Sequence, residues 1–382
     1  MNDRMRQADR GLIPVADYVC PALPADEWFR VLWRRLLTWL RPTRTSVIPD
    51  DQLRRATLRR LDQVVAPPAC GPVLAELQTS IAEWLAQSPK AERIKAIVLP
   101  PCQDGDVLGV WAESIGHQIL RVDHPRDVPD ALVRLERLPD DPNALLVVPR
   151  LEFWHLRRAD GLAGIRALIA ALTRRRQRVV ISCNAWTWAY LSKAAGIDMI
   201  AARPLCFAPM DGVRLRNWFR ELARDDDTRE FRFRLSDDGT DLFGDDFTDV
   251  ETDLFRTLAA RSLGVPWVAW HMWRRMLHRS DGDASVPEAG NTLWVTAPDE
   301  LTLPAERRRE ALLILHALIL HGRMSIEDLA SVLPLVGETV APAGLMMAGL
   351  IAQEGDALFV RAEAYPVVRA ELQAAGMSVG GI

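Results

Sequence analysis

Between Ile94 and Ala208 five short apolar runs alternate with segments of helix length, and this pattern limits the fold more than any other feature of the chain. The runs are Ile94 to Leu99, His117 to Val122, Ala144 to Val148, Arg178 to Cys183 and Pro204 to Ala208. Strands that are buried on both faces read as continuous apolar runs rather than as an alternation of apolar and polar residues. The segments between them, Asp106 to Gly116, Pro129 to Leu138, Phe153 to Arg174 and Trp186 to Ala195, read as helices. Strand and helix in regular succession predict an α/β fold, a parallel sheet wrapped by helices.

The flanks read differently. Residues 1–25 contain Pro14, Pro21 and Pro24 without a clear period and are expected to be irregular. Asp26 to Arg41 predicts an amphipathic helix whose stripe is Phe29, Leu32, Trp33, Leu36, Leu37 and Leu40. Further helices are expected over Asp51 to Val65, stopped by Pro67 and Pro68, and from Pro72 along Leu74, Leu77, Ile81, Trp84 and Leu85. Beyond the sheet, Met210 to Arg224 predicts a helix, and the acidic stretch to Thr248 a loop. Asp249 to Arg279 is expected to be helical with a break near Gly264-Val265-Pro266, and residues 280–291 have linker composition.

The C-terminal part predicts a helix from Pro304 to Gly322 and a second capped by Ser325 with Asp328 at the capping-box position. A third follows over Ala341 to Leu350, then a hairpin from Ile351 to Arg361 turning at Glu354-Gly355-Asp356. Helix, helix, helix, hairpin is the order of a winged helix. The expected boundaries are 1–71 for an N-terminal helical segment, 72–210 for the α/β core, 211–285 for a helical region and 286–382 for the winged helix.

Composition excludes several classes. With 49% apolar and 26% charged residues the chain is an ordinary globular one. A net charge of -4 gives no bulk attraction for nucleic acid. Cys20, Cys70, Cys102, Cys183 and Cys206 are scattered and odd in number, which suits a reducing cytoplasm. The opening MNDRMRQADRG has no apolar core of a secretory signal. Lysine occurs only at Lys90, Lys95 and Lys193, with arginine elsewhere, a base-composition bias that fits a bacterial source.

The loop after the first core strand carries the chemistry to be explained. A phosphate-binding loop of the form G-x-x-x-x-G-K-[ST] should stand here, its amides around the phosphates, its Lys on the β/γ oxygens and its hydroxyl on Mg²⁺. The chain instead has Pro100 at the first glycine position and Cys102 within the loop. Gly105 stands at the second glycine, Asp106 at the lysine and Val107 at the hydroxyl. At ~4 Å and an effective dielectric near 20, a carboxylate facing a phosphate costs on the order of 4 kcal/mol. The third strand should close on the acids that bind Mg²⁺ and activate water, but Pro149 replaces the Asp and Glu152 is the nearby acid. Asn184, ending the fourth strand, stands where a polar sensor would orient water.

Element order, strand-end positions and the segment Leu258 to Trp273 together resemble the AAA+/STAND branch of P-loop ATPases, over residues 72–280 plus the winged helix. The resemblance implies a P-loop NTPase-like core, a helical lid and a C-terminal winged helix. It also implies a lid arginine for the nucleotide, with Arg261, Arg274 and Arg275 as candidates. With the loop lysine and the metal-binding Asp lost, the expectation is a non-catalytic protein acting through a protein partner. It carries no metal, and ATP or ADP would bind only without ordinary Mg²⁺ coordination.

Other readings stand beside it: an unorthodox nucleotide switch using the amides of Cys102 to Asp106, a DNA-binding regulator, and a peripheral subunit of a membrane complex contacting anionic lipid through residues 26–44. Against DNA, no Arg or Lys occurs from Met324 to Val360, whereas Glu327, Asp328, Glu338, Glu354 and Asp356 do. His271 and His278, seven apart, would share a helix face and meet Cys206 only by coincidence of folding, and His316 with His321 have poor metal-ligand spacing.

Overall fold

The computed structural model describes residues 11–23, 53–55, 71–87, 92–103, 105–223, 232–236, 239, 241–243, 249–280, 292–297, 300–334, 340–377 and 380–382. The docking stripe Phe29, Leu32, Trp33, Leu36, Leu37 and Leu40 lies outside the described residues, as do Cys70 and the linker at 281–291. The chain forms two compact units. The first joins Met1–Tyr18, Cys70–Ala208 and Leu301–Ile382, and the second joins Val19–Ala69 with Pro209–Glu300.

In chain order the strands are β1 (Leu12–Pro14), β2 (Leu53–Arg55), β3 (Ile94–Leu99), β4 (Gln118–Ile119), β5 (Leu145–Val148), β6 (Arg178–Asn184) and β7 (Leu205–Phe207). Then come β8 (Arg232–Leu235), β9 (Leu277–Ser280), β10 (Thr292–Val295), β11 (Arg323–Ser325), β12 (Ile351–Glu354) and β13 (Ala357–Val360). The helices are α1 (Gly71–Ala86), α2 (Val107–Ile115), α3 (Val128–Arg137), α4 (Ala163–Arg174), α5 (Ala185–Ala195) and α6 (Gly212–Ala223). They continue as α7 (Asp249–Arg261), α8 (Pro266–Met276), α9 (Arg308–His321), α10 (Ile326–Val332), α11 (Ala341–Met347) and α12 (Tyr365–Ala374).

The first unit is the expected α/β core. Its sheet has the order β1-β7-β3-β6-β5-β4, parallel except for β1, which pairs antiparallel with β7 at the edge. Every residue of β5 is buried, as is β3 apart from the half-buried Lys95, so both faces are covered. α1 buries Val73, Leu77, Ile81 and Trp84. Each such side chain contributes about 1.5–3 kcal/mol on leaving water. From β3 the chain winds outward to β4, returns through β5 and β6, then crosses β3 to β7. The connections leaving the neighbours β3 and β6 therefore run in opposite directions, and the crevice outside their carboxyl ends is where such a sheet takes ligands.

Residues 301–382 complete this unit. α9 is followed by β11, α10 and α11, and then by the hairpin β12–β13, whose strand β13 also pairs antiparallel with β11. Ser325 caps α10 by accepting from the Asp328 amide at 3.0 Å, as the capping-box pattern foresaw. The sequence reading missed β11, a three-residue strand too short to carry a period.

Three other expectations are corrected here. Phe153 to Arg174 is not one helix: Leu151–Trp154 is a 3-10 turn, and the helix begins only at Ala163. Between them the Leu156 amide closes on the Gly161 carbonyl, a turn built from Arg157, Arg158, Asp160 and Gly161, which interrupt the apolar stripe. The lead-in is not irregular throughout, since β1 zips to the sheet edge and carries a 3-10 turn at Val15–Asp17. The strand expected over His117 to Val122 pairs only at Gln118 and Ile119.

The second unit holds α6, α7 and α8 with a sheet of order β2-β9-β10-β8. Leu53–Arg55 is thus a strand, where a helix over Asp51 to Val65 was expected; it pairs with Ser280, Arg279 and His278. The acidic stretch read as a loop contains β8, which pairs parallel with β10. Phe233 on β8, with Phe219, Phe243, Phe255 and Trp273, forms an aromatic cluster with ring centroids 5.3–6.2 Å apart. Phe233 alternates with Arg232 and Arg234, so the acidic neighbours concealed a half-buried strand.

Candidate functional site at the carboxyl ends of the core strands

The loop after β3 leads into α2, as a phosphate loop would. Its lysine position is Asp106, and the carboxylate has found partners. Oδ1 accepts from the Gly109 amide at 2.8 Å and so caps α2. Oδ2 lies 3.0 Å from the Nη2 and the Nε of Arg121, whose Nη1 donates to Glu113 at 2.7 Å. The free amides at a helix N-terminus attract anions, and here a side chain of the same protein supplies the anion. A methyl group on Gly109 would land on the Asp106 carboxylate and the Arg121 guanidinium, so this glycine in the first turn of α2 is a space requirement. Val107 is buried, and nothing crowds Gly105.

The strand ends behind this loop have been put to other work. After Pro149 the backbone turns through Arg150 with φ 54° and ψ 57°, a left-handed conformation costly for a non-glycine residue. The Arg150 guanidinium lies 4.3 Å from the centre of the Phe153 ring, and its Nε is 3.4 Å from Glu152 Oε1. Glu152 is buried and its Oε2 accepts from the Asn184 amide at 3.4 Å. Burial pushes the Glu152 carboxyl above its ordinary pKa, against the pull of Arg150 and these hydrogen bonds.

Asn184 does two things. Its Oδ1 accepts from the Trp186 and Thr187 amides at 3.0 and 2.8 Å, capping α5. Its Nδ2 donates to the Ile319 and Leu320 carbonyls at 3.1 and 3.3 Å, and the Thr187 hydroxyl also donates to Leu320. The last carbonyls of a helix have no intrahelical partners. The residue at the sensor position therefore fastens the end of α9 to the sheet. Gly322 follows with φ 74°, facing Glu152 and Arg150.

A second contact of this kind was invisible in the sequence. His155 and His321 are both buried with ring centroids 4.9 Å apart, and His155 stacks on Tyr190 at 5.5 Å. The Arg157 amide donates to His321 Nε2 at 3.3 Å, and His155 Nδ1 lies 3.3 Å from the Leu151 carbonyl. Burial lowers the His155 pKa to about 4 and takes that of His321 well below its ordinary value. Trp186 donates to the Tyr365 hydroxyl at 3.2 Å, which donates to the Ile382 carbonyl at 2.6 Å.

A cavity of about 30 Å³ remains at the strand ends, lined among others by Pro100, Cys102, Gln103, Arg150, Glu152, Asn184, Arg323 and Phe359. One site of water needs roughly 10–15 Å³ on this measure, so two or three waters fill it. Drug-sized ligands occupy pockets of roughly 300–1,000 Å³. Of the residues singled out from sequence, Pro100, Cys102, Glu152 and Asn184 therefore line one cavity, whereas Asp106 is engaged at α2. Cys102 has φ 61°.

Arg261, Arg274 and Arg275 belong to the second unit, where Arg274 lies 4.5 Å from the Trp270 ring centre. His271 sits edge-on to Trp270, and His278 falls on β9, beyond the helix it was read to share. Among the described residues no cluster of His, Cys, Asp or Glu could hold a metal ion, and no helix is long and apolar enough to cross a membrane. Sequence reasoning missed Arg121, Arg150, Gln103 and Arg323; only Gly109, a glycine inside a predicted helix, was a usable signal.

No protein-family profile and no curated protein matches this chain. Solved structures similar to it include Cdc6p from Pyrobaculum aerophilum, at 13% identity over 83% of this chain and 99% of that chain, with a TM-score of 0.32. The Thermotoga maritima RuvB Holliday junction branch migration motor is 12% identical over 80% and 97% of the two chains, with a TM-score of 0.34. A chain of Drosophila ORC bound to DNA is 12% identical over 90% and 99%, with a TM-score of 0.37. The strand order itself, with loop-bearing β3 between β6 and β7, makes the core P-loop NTPase-like.

Proposed function

We propose that this chain is a non-catalytic, ATPase-derived regulatory or scaffolding protein of AAA+/STAND type that works through protein contacts, with a winged-helix domain at its C-terminus. The carrying observation is that the positions expected to serve hydrolysis serve architecture. Asn184 holds the end of α9, Glu152 is buried against Arg150, and Asp106 caps α2 with Arg121 as its counter-ion. A γ-phosphate would have to displace the Asp106 carboxylate, and a nucleoside would have to enter a cavity of about 30 Å³.

A protein partner fits the C-terminal surface better than a nucleic acid does. Val340 and Met347, at the start and end of the α11 region, are 70% and 91% exposed, and Ile326 at the start of α10 is 55% exposed. No Arg or Lys occurs from Met324 to Val360, so the basic contacts that carry most DNA affinity are missing. The Trp- and Arg-rich segment 26–44 is the second docking element in this reading.

Calorimetry with ATP and ADP, with and without Mg²⁺, tests it on the intact chain and on Asp106→Lys. No heat from the intact chain is expected. ATP turnover that disappears in Glu152→Gln would overturn the proposal, because it would make that buried acid catalytic.

A further inference from the structure

We infer that the small cavity at the ends of β3, β5 and β6 is a binding site for one phosphate-sized oxyanion, held by Arg150, Arg323 and Gln103. It goes beyond the proposed function and is separate from the helix N-terminus where Asp106 sits.

Three observations converge on an anion. The Gln103 amide nitrogen is enclosed and has no hydrogen-bond partner, and a buried donor left so costs roughly 1–3 kcal/mol. Two arginines line the same space, the Arg150 guanidinium over the Phe153 ring at 4.3 Å and that of Arg323 over the Phe359 ring at 4.4 Å. Arg150 pairs with Glu152 and Arg323 with Glu354. A guanidinium carries five N–H donors, so one carboxylate does not exhaust it. Finally, Cys102 and Arg150 both adopt left-handed backbone on the cavity wall, and strain of this kind gathers at ligand sites.

Size and charge limit the ligand. Space for two or three waters, at about 30 Å³ of liquid volume each, matches one tetrahedral oxyanion and no nucleoside. A groove of about 470 Å³ shares Arg150 and Arg323 with the cavity and also presents Asp123, Glu354 and Asp356 beside His124. Those carboxylates repel the rest of a polyphosphate, so the favoured ligand is a free oxyanion or a monoester whose remainder is neutral or cationic. Arg150 follows β5 by two residues and Arg323 opens β11, so an anion between them also ties the C-terminal part of the unit to the sheet.

The experiment is calorimetric titration of the full chain with sodium phosphate, and in a second arm with phenyl phosphate, against sodium chloride at matched ionic strength. Saturable binding is expected for phosphate; tighter binding of the ester assigns the site to a monoester, and equal or weaker binding to the free ion. Arg323→Gln, which also removes the ion pair with Glu354 and the contact with the Phe359 ring, and Gln103→Leu should each weaken binding at least tenfold. Asp106→Asn should leave it unchanged. Absence of saturable binding, or equal affinity in Arg323→Gln and Gln103→Leu, overturns the inference. A tenfold gain in Asp106→Asn does so as well, because it moves the anion to the N-terminus of α2.

Discussion

Asn184→Ala separates a structural role from a catalytic one. A sensor residue touches water and phosphate, so its loss slows turnover and leaves stability alone. Here the amide caps α5 and satisfies carbonyls at the end of α9. Losing a good N-cap costs about 0.5–2 kcal/mol. Leu320 retains the Thr187 hydroxyl, but the Ile319 carbonyl is left buried without that donor, at about 1–3 kcal/mol. The sum is roughly 1.5–5 kcal/mol, large against an ordinary domain stability of about 5–15 kcal/mol. Asn184→Ser keeps a capping oxygen but cannot reach α9, so it should show only the second part. Urea unfolding followed by tryptophan fluorescence, with trypsin sensitivity of residues 301–382, reads both variants. If Asn184→Ala is as stable as the parent to within about 0.5 kcal/mol, which is the scale of a neutral surface change, the reasoning fails.

Acidification is a second perturbation. The folded His155 pKa of about 4 lies below the ordinary 6.5, so stability is full above 6.5 and drains as pH falls toward 4. At pH 5 this histidine alone costs about 2 kcal/mol, with His321 adding in the same direction. Glu152, raised by burial, acts in the opposite sense, its contribution being lost as pH rises. His155→Gln should remove about 2 kcal/mol of the difference between pH 7.5 and pH 5; an unchanged difference argues against the buried pair. Gly109→Ala should cost about 1–3 kcal/mol by overpacking, despite the better helix propensity of alanine, and Asp106→Ala in the same chain should recover part of it in thermal unfolding. Trp273→Ala, in the aromatic cluster of the second unit, should cost about 3–5 kcal/mol and raise amide exchange in α6 to α8 while leaving exchange in β3, β5 and β6 unchanged.

The core was legible because its signals are local. A strand buried on both faces is apolar along its buried length, as β5 is throughout and β6 is from Val179 to Ile181. Helix ends marked by Asp106, Gly116, Asn184, Gly196 and Ser325 are set by backbone chemistry within four residues. That Asp106 and Val107 stand where the loop pattern has a lysine and a hydroxyl needed only a register of eight residues. Where long-range pairing decides, the reading failed. Leu53–Arg55 and Phe233 on β8 are strands because of partners at Ser280 and Thr292–Val295, and no window of the sequence contains both sides of such a pair.

What the polar residues at the strand ends are bonded to was likewise a tertiary matter. From sequence alone Asp106 is a misplaced charge; fifteen residues on, Arg121 returns along the sheet to neutralise it. Asn184 and the carbonyls of Ile319 and Leu320 lie more than a hundred residues apart, as do His155 and His321, and only the packed chain brings them together. By itself the sequence determined that Asp106 and Val107, and not Lys and Ser or Thr, follow Gly105, since each is one residue at one register. Which groups pair with the polar residues was decided by the tertiary structure, because unpaired charges and carbonyls are satisfied by whatever the fold carries within hydrogen-bonding reach.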